Sequence, residues 1–238
     1  MKWINAIWFH GLRLLLWPYK QSKVHKGTYK PQRFDDCGGG YSSYVIVGEL
    51  PENAVIFSFG IGDNVQFEEK VLKKHKDCIM YAFDPTPKAE KYAEKLRKFE
   101  NFHFEMIGLS DRDGYQTFYM PKNDHHISCS TVAHSGVGGA GREISVPMKK
   151  LSSLMADFGI SHIDLLKMDI EGTEFAVIPD FIKNGIYPDQ ICVELHERFF
   201  KNPLRVLRQF IRLLEDNGYK IVYISRGQEE FTFLRKNK

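Results

Sequence analysis

The chain has 238 residues, 43% hydrophobic and 26% charged, a balance that suits a globule with one substantial core. Its 33 basic and 30 acidic residues leave a formal net charge of +3, too little to demand a nucleic-acid partner. Cys37, Cys78, Cys129 and Cys192 are scattered with no C-x-x-C pair, which argues against a disulfide framework or a zinc site and for buried free thiols in a reducing, cytoplasmic compartment.

Residues 3–17, Trp-Ile-Asn-Ala-Ile-Trp-Phe-His-Gly-Leu-Arg-Leu-Leu-Leu-Trp, are mostly apolar and stop at Pro18. The run is short for a membrane span and is broken by Asn5, His10 and Arg13; it lacks the small-residue cleavage site of a signal peptide. As a helix it has a narrow polar stripe of Lys2, Asn5, His10 and Arg13. Trp3, Trp8 and Trp17, with Lys20, Lys23 and Lys26 following, suit a membrane interface. Two readings carry equal weight: peripheral contact of residues 3–17 with the inner face of a membrane, or a helix packed on its own domain or on a second subunit of a homo-oligomer. The organisation expected is an amphipathic helix and extension over 1–40 and one domain over 41–238.

Tyr41–Val47 leads toward a first core strand at 55–59, which runs into Gly60 and Gly62, with a helix at about 64–75. The second strand, 79–84, ends on Asp84. This strand–glycine turn–helix–strand–acid unit is built to hold an adenosine-containing cofactor. The glycines let the backbone turn sharply and approach a ligand, and an acid roughly twenty residues further on accepts hydrogen bonds from ribose hydroxyls. Val65 stands where a dinucleotide site places its third glycine, and Asp63 would repel a pyrophosphate. The same acid suits the cationic sulfonium and ammonium groups of S-adenosylmethionine, which is favoured over NAD.

Pro87 opens a helix reaching about Phe99; a third strand covers 102–107; the turn Ser110–Gly114 leads into Tyr115–Met120. Residues 121–142, with His125, His126, His134 and four glycines, read as a lid or substrate loop, or as a disordered insertion. Then come a strand near 143–148, a helix near 151–158, a fourth parallel strand at Ile163–Met168, a helix from Thr173 to about Asn184, a fifth strand at Gln190–His196, an amphipathic helix at 203–216 ending at Gly218, and a hairpin of Tyr219–Ser225 with Glu230–Leu234. Alternating strands and helices predict an α/β fold with a parallel sheet covered on both faces, closed by one antiparallel strand.

Ligands of such sheets bind at the carboxyl ends of the strands. The polar residues predicted there are Gly60, Gly62 and Asp63; Asp84; Ser110 and Asp111; Asp169 and Glu171; Glu194 and His196. Asp169, Glu194 and His196 form a set suited to magnesium or manganese, which would lower the pKa of a substrate hydroxyl. Without a metal, His196 is the natural general base, because an ordinary imidazole titrates near neutrality. Helix capping is the competing reading for Asp169 and Glu171, and it prevails for Glu174.

The segments Phe-Ser-Phe-Gly-Ile-Gly-Asp-Asn-Val-Gln-Phe-Glu, Ala-Phe-Asp-Pro-Thr-Pro and Leu-Leu-Lys-Met-Asp-Ile-Glu-Gly-Thr-Glu resemble, in this order and spacing, the FkbM family of S-adenosylmethionine-dependent methyltransferases over roughly residues 40–225. The resemblance implies a Rossmann-like class I methyltransferase fold with a seven-stranded, mostly parallel sheet and an antiparallel last strand. It implies O-methylation of sugars, glycans or polyketide-type hydroxyls. By position it places Gly60, Gly62 and Asp63 in the cofactor loop, Asp84 at the ribose and Asp169 after strand four. Pro85, Thr86, Ser110 and Asp111 are read with them as cofactor-binding candidates, and the strand-end reading makes Asp169, Glu171 and His196 the catalytic candidates. Asn64 departs from the third glycine of the common G-x-G-x-G loop. No nucleic-acid substrate is expected, since no Asn-Pro-Pro-Tyr-type motif follows strand four.

Overall fold

The computed structural model describes residues 2–25, 31–33, 44–119 and 143–236. The candidate substrate loop with His125, His126 and His134, and also Cys37 and Cys129, lie outside the described residues. In chain order the elements are α1 (Lys2–Lys23), β1 (Pro31–Arg33), β2 (Val45–Val47), β3 (Val55–Phe59), α2 (Gln66–Lys74), β4 (Ile79–Phe83), α3 (Pro87–Ala93), β5 (Phe102–Glu105), β6 (Gly108–Leu109), β7 (Gly114–Tyr119), β8 (Glu143–Lys149), α4 (Leu151–Asp157), β9 (Leu165–Met168), α5 (Glu174–Lys183), β10 (Gln190–Glu194), α6 (Pro203–Asp216), β11 (Tyr219–Ile224) and β12 (Glu230–Arg235).

Seven strands form the main sheet in the order β11-β12-β10-β9-β3-β4-β5. From β5 to β10 every pairing is parallel; β12 runs antiparallel to both its neighbours. This is the sheet expected from the sequence: seven strands, mostly parallel, with the last strand reversed. The short runs Val-Ile-Phe-Ser-Phe and Leu-Leu-Lys-Met have no polar face because helices cover both sides of the sheet. Alternate residues feed different cores: Phe57, Phe59, Leu166 and Val193 pack with α4, α5, α6 and Leu16 of α1, while Ile56, Leu165 and Cys192 pack with α2 and α3. Cys78 and Cys192 are buried free thiols, and burial pushes the Cys78 thiol up to about 11.

The structure departs from the sequence reading in several places. Helix α1 runs on through Pro18 to Lys23, Pro31–Arg33 pairs with Val45–Val47 in a two-stranded sheet, and the fifth strand ends at Glu194, short of His196. The single strand expected at 102–107 breaks after Glu105, and Gly108–Leu109 joins a separate three-stranded sheet in the order β6-β8-β7. Gly108 lies close to its neighbours: an added Cβ would meet the sulfur end of the Met148 side chain, which would have to move, and stand 3.2 Å from Cγ of Pro85. The helix from Pro87 ends at Ala93 and tightens into a single 3-10 turn, Glu94–Leu96, instead of reaching Phe99. A second 3-10 turn, Glu197–Phe199, follows β10.

Candidate active site

Adjacent β3 and β9 send their connections to opposite sides of the sheet, so a crevice opens at their carboxyl ends. Gly60 lies in it with φ +73°. Its N–H donates to the carbonyl of Phe83 at 2.9 Å, and the Asp169 N–H donates to the carbonyl of Phe59 at 3.1 Å. A Cβ on Gly60 would overlap the carbonyl oxygen of Asp169 and sit 2.8 Å from its carbonyl carbon. The glycine is therefore required by main chain meeting main chain, not by a ligand alone.

Gly62, at φ +54°, donates its N–H to Oδ2 of Asp84 at 3.0 Å. Oδ1 of the same carboxylate accepts the Thr86 N–H at 2.9 Å and its hydroxyl at 2.5 Å. Burial pushes the Asp84 carboxyl above its usual range, opposed by the hydrogen bonds from Thr86 and Gly62 and by the charge of Lys167. Thr86 stands at the N-cap position of α3 in an extended conformation, its hydroxyl bonded to Asp84 and not to the helix, with Pro87 in the first turn, so the acid, the loop and the helix start form one unit. Asp63 stays partly exposed, 4.0 Å from Nζ of Lys88. Ser110 and Asp111 are engaged with each other: the Ser110 hydroxyl donates to Oδ1 of Asp111 at 3.2 Å and accepts from Nε2 of Gln116 at 2.6 Å. They follow β6, whose Gly108 lies against Pro85.

Lys167 was not singled out from the sequence. It is buried in the middle of β9, and its Nζ donates to the carbonyl of Gly60 at 2.7 Å and to that of Phe59 at 3.4 Å. Oε1 of Glu68, also buried, stands 3.9 Å away and accepts from the Ser58 hydroxyl at 2.6 Å. The Tyr44 ring lies 5.2 Å from the ammonium. A cation thus supports the glycine loop from beneath. A lysine inside a strand buried on both faces is itself a signal that a specific partner waits for it.

Across the crevice, His196 is 1% exposed. Oε1 of Glu174 accepts both its backbone N–H and its ring Nδ1, each at 2.8 Å, and Oε2 of Glu174 accepts the Gly172 N–H at 2.9 Å. The helix-capping reading of Glu174 therefore accounts for only one of its three hydrogen bonds. The other ring nitrogen, Nε2, faces three carboxylates: Glu171 Oε2 at 3.5 Å, Glu194 Oε1 at 3.5 Å and Asp169 Oδ1 at 3.9 Å. Glu171 reaches this place from a left-handed backbone, φ +51°, followed by Gly172 at φ +99°, a conformation that costs energy for a residue with a side chain.

Burial opposes a charged imidazole, but the carboxylates of Glu174, Glu194 and Glu171 outweigh it and push His196 up to about 10. The ordinary imidazole pKa on which a general-base role rested is thereby replaced by that of a held imidazolium. Burial and the charge of Asp169 push the Glu194 carboxyl well above its usual range. Oxygens of Asp169 and Glu171 and a ring nitrogen of His196 lie within 4.8 Å of one another. This set, with Glu194 beside it, has the donor chemistry of a site for a hard divalent cation.

The described residues thus bring together Gly60, Gly62, Asp84 and Thr86 on one side of the crevice and Asp169, Glu171, Glu194 and His196 on the other, joined by the contact of Gly60 with Asp169. Residues 48–221 match the family model described as the methyltransferase FkbM domain. Methyltransferase-like protein 24 of Homo sapiens is 24% identical over 144 residues; the match spans 59% of this chain and 32% of that protein, so the chain corresponds to about a third of the relative's length. Among solved structures, a fibrillarin pre-rRNA processing protein of Methanococcus jannaschii is 14% identical with a TM-score of 0.47, covering 79% of this chain and 68% of that one. A precorrin-6y C5,15-methyltransferase from Geobacter metallireducens is 12% identical with a TM-score of 0.45, covering 79% and 82%.

Proposed function

Since the chain belongs to the methyltransferase FkbM domain family, we propose that it transfers a methyl group from S-adenosylmethionine to a hydroxyl of a sugar, glycan or related small molecule. The observation that carries this reading is the bond from the Gly62 N–H to Asp84 within one crevice with the Asp169–His196 cluster. The remaining lone pairs of Asp84 accept the ribose hydroxyls, and Gly60 and Gly62 keep the loop free of side chains where the cofactor lies. Asp63 and the carboxylates around His196 supply negative charge for a cationic ligand. The cofactor, when bound, supplies a methyl group already activated on a sulfonium, which leaves the protein the task of alignment.

On the acceptor side, Glu171, Glu194 and His196 orient the hydroxyl. Asp169, the most open of the three carboxylates and joined by its main chain to the glycine loop, accepts the hydroxyl proton. The same donors fit magnesium or manganese, because Glu174 gives His196 the carboxylate partner that metal-bound histidines use. Such an ion would be held by Asp169, Glu171, Glu194 and His196, would displace the proton from Nε2 of His196 as it bound, and would lower the pKa of a bound hydroxyl. The sugar or glycan class rests on the family resemblance.

The test is calorimetric titration with S-adenosylmethionine, S-adenosylhomocysteine and NAD, on the natural chain and on Asp84→Ala. Binding of the two sulfur compounds alone, lost in the variant, supports the reading and opens a screen of labelled methyl transfer to glycans. Failure of both sulfur compounds to bind overturns it.

A further inference from the structure

Helix α1 is joined to the domain by its C-terminal half. Leu16 enters the main core. Lys20 is buried, its Nζ donating to Oε1 of Glu197 at 2.7 Å and to the carbonyl of Gln228 at 2.6 Å, with the Phe231 ring 5.2 Å away. Lys23 pairs with Glu215 at 2.8 Å. Glu197 and Gln228 follow β10 and β11 at the carboxyl edge of the sheet, beside His196, whereas Glu215 ends α6 at the opposite edge. The helix thus descends from the edge that holds the crevice, and the residues before Leu16 lie on the crevice side.

The face of α1 turned away from Lys20 is apolar. Leu14 is 75% exposed, Leu15 77% and Trp17 38%, three of the four exposed large hydrophobic residues among the described residues. In the sequence, Ile4, Ile7, Trp8 and Gly11 precede Leu14, Leu15 and Pro18 at steps of three and four, the repeat of one helix face. Charge gives the occupant of this face. Residues 1–34 contain seven basic residues and no Asp or Glu, while the rest of the chain holds 26 basic and 30 acidic residues; Lys20 and Lys23 are paired with Glu197 and Glu215, which leaves Lys2, Arg13, Lys26, Lys30 and Arg33 as the excess positive charge of the segment. A second copy meeting this face about a two-fold axis would set one basic segment against another. An anionic lipid surface accepts both the apolar face and the basic charge.

We propose that α1 is a peripheral anchor that lays its Leu14–Leu15 face on an anionic bilayer and holds the carboxyl edge of the sheet toward it. No helix among the described residues is long and apolar enough to cross a membrane, so the contact is one of docking. An acceptor hydroxyl then reaches the crevice from the bilayer side, a consequence that rests on the methyl-transfer reading; the docking itself does not.

The three tryptophans of the chain, Trp3, Trp8 and Trp17, all belong to α1, so intrinsic tryptophan fluorescence reports on this helix alone. The full chain is titrated with vesicles of phosphatidylcholine and of phosphatidylcholine mixed with phosphatidylglycerol, followed by emission and co-sedimentation. The expected result is a blue shift and sedimentation with the anionic vesicles, weakened by salt, and at least about tenfold weaker binding for Leu14→Glu/Leu15→Glu. Binding of S-adenosylhomocysteine by that variant stays unchanged, which keeps the outcome separate from the fate of the methyltransferase reading. Absence of vesicle binding, equal binding to neutral vesicles, or equal binding by the variant overturns the proposal. A dimer in sedimentation velocity that the variant dissolves overturns it in favour of a second copy.

Discussion

One oxygen of Glu174 holds His196 twice, accepting the backbone N–H and the ring Nδ1 at 2.8 Å each. The first turn of α5 and the end of β10 are thereby locked together, and Nε2 is aimed at Asp169, Glu171 and Glu194. Replacing Glu174 by Gln keeps the shape but removes the anion that does most to charge the imidazole. His196 then titrates well below about 10, readable as a shifted imidazole resonance in an NMR pH series. An unmoved resonance would contradict the assignment.

The raised pKa of His196 has a defined consequence for stability. A group whose folded pKa lies above its unfolded value contributes fully below the unfolded value, 6.5, and loses that contribution as pH rises toward about 10. Glu194, also raised, adds a slope of the same sign that begins at lower pH. In a chelator-containing buffer the Tm falls across this window, by up to about 1.4 kcal/mol of stability per pH unit for one proton. His196→Gln flattens the limb between 6.5 and about 10.

Gly60 and Gly62 both have positive φ, at +73° and +54°, yet their substitutions should differ. A Cβ at Gly62 has nothing within 4 Å, so Gly62→Ala costs only the left-handed conformation, about 1 kcal/mol. Gly60→Ala must also displace the main chain of Asp169. Thermal denaturation should show a drop for Gly60→Ala several times larger than for Gly62→Ala; equal drops would refute the tight main-chain contact.

Lys167→Met leaves the buried Glu68 without its cation and the Gly60 carbonyl without its donor. Breaking such a pair from one side costs about 3–5 kcal/mol, measurable by urea unfolding. Adding Glu68→Leu to it should recover part of the stability while cofactor binding stays weak, because the loop support is still gone.

Manganese offers a direct reading of the carboxylate–imidazole set. Electron paramagnetic resonance of the chain titrated with manganese should show bound ion, lost in Asp169→Asn/Glu171→Gln, while calorimetric binding of S-adenosylhomocysteine survives. Identical manganese binding by the variant would place the ion elsewhere.

The sheet and its glycine–acid unit were legible because buried parallel strands read as short apolar runs that stop at Gly60, Asp84 and Asp169, and each stop marks a carboxyl end. Asp169, Glu171, Glu194 and His196 could be gathered from the same rule. The roles of Lys167 and Glu174 were not. Lys167 looks like an interruption of an apolar run until Glu68 and the Gly60 carbonyl are seen beneath the loop. Glu174 sits where any first-turn acid would cap a helix, and only the fold brings β10 within its reach. The state of His196 was likewise hidden, since it depends on the carboxylates of Glu171 and Glu174 from the turn and helix start after β9 and of Glu194 from β10. The break after Glu105 was hidden because Gly108–Leu109 pairs with Met148–Lys149, a strand 40 positions away that the local run does not reveal.

The contact of Gly60 with the Asp169 carbonyl also bears on how such a protein can change. The two sides of the crevice meet through main-chain atoms, so their spacing is inherited from the sheet and is independent of which side chains surround it. Substitutions in the outer loops can therefore reshape what enters the crevice while the distance between its two sides stays constant. A change that separates the two strand ends disables both sides at once. On the methyl-transfer reading, altering the rim changes the acceptor, with the spacing at the floor of the crevice kept as a fixed gauge.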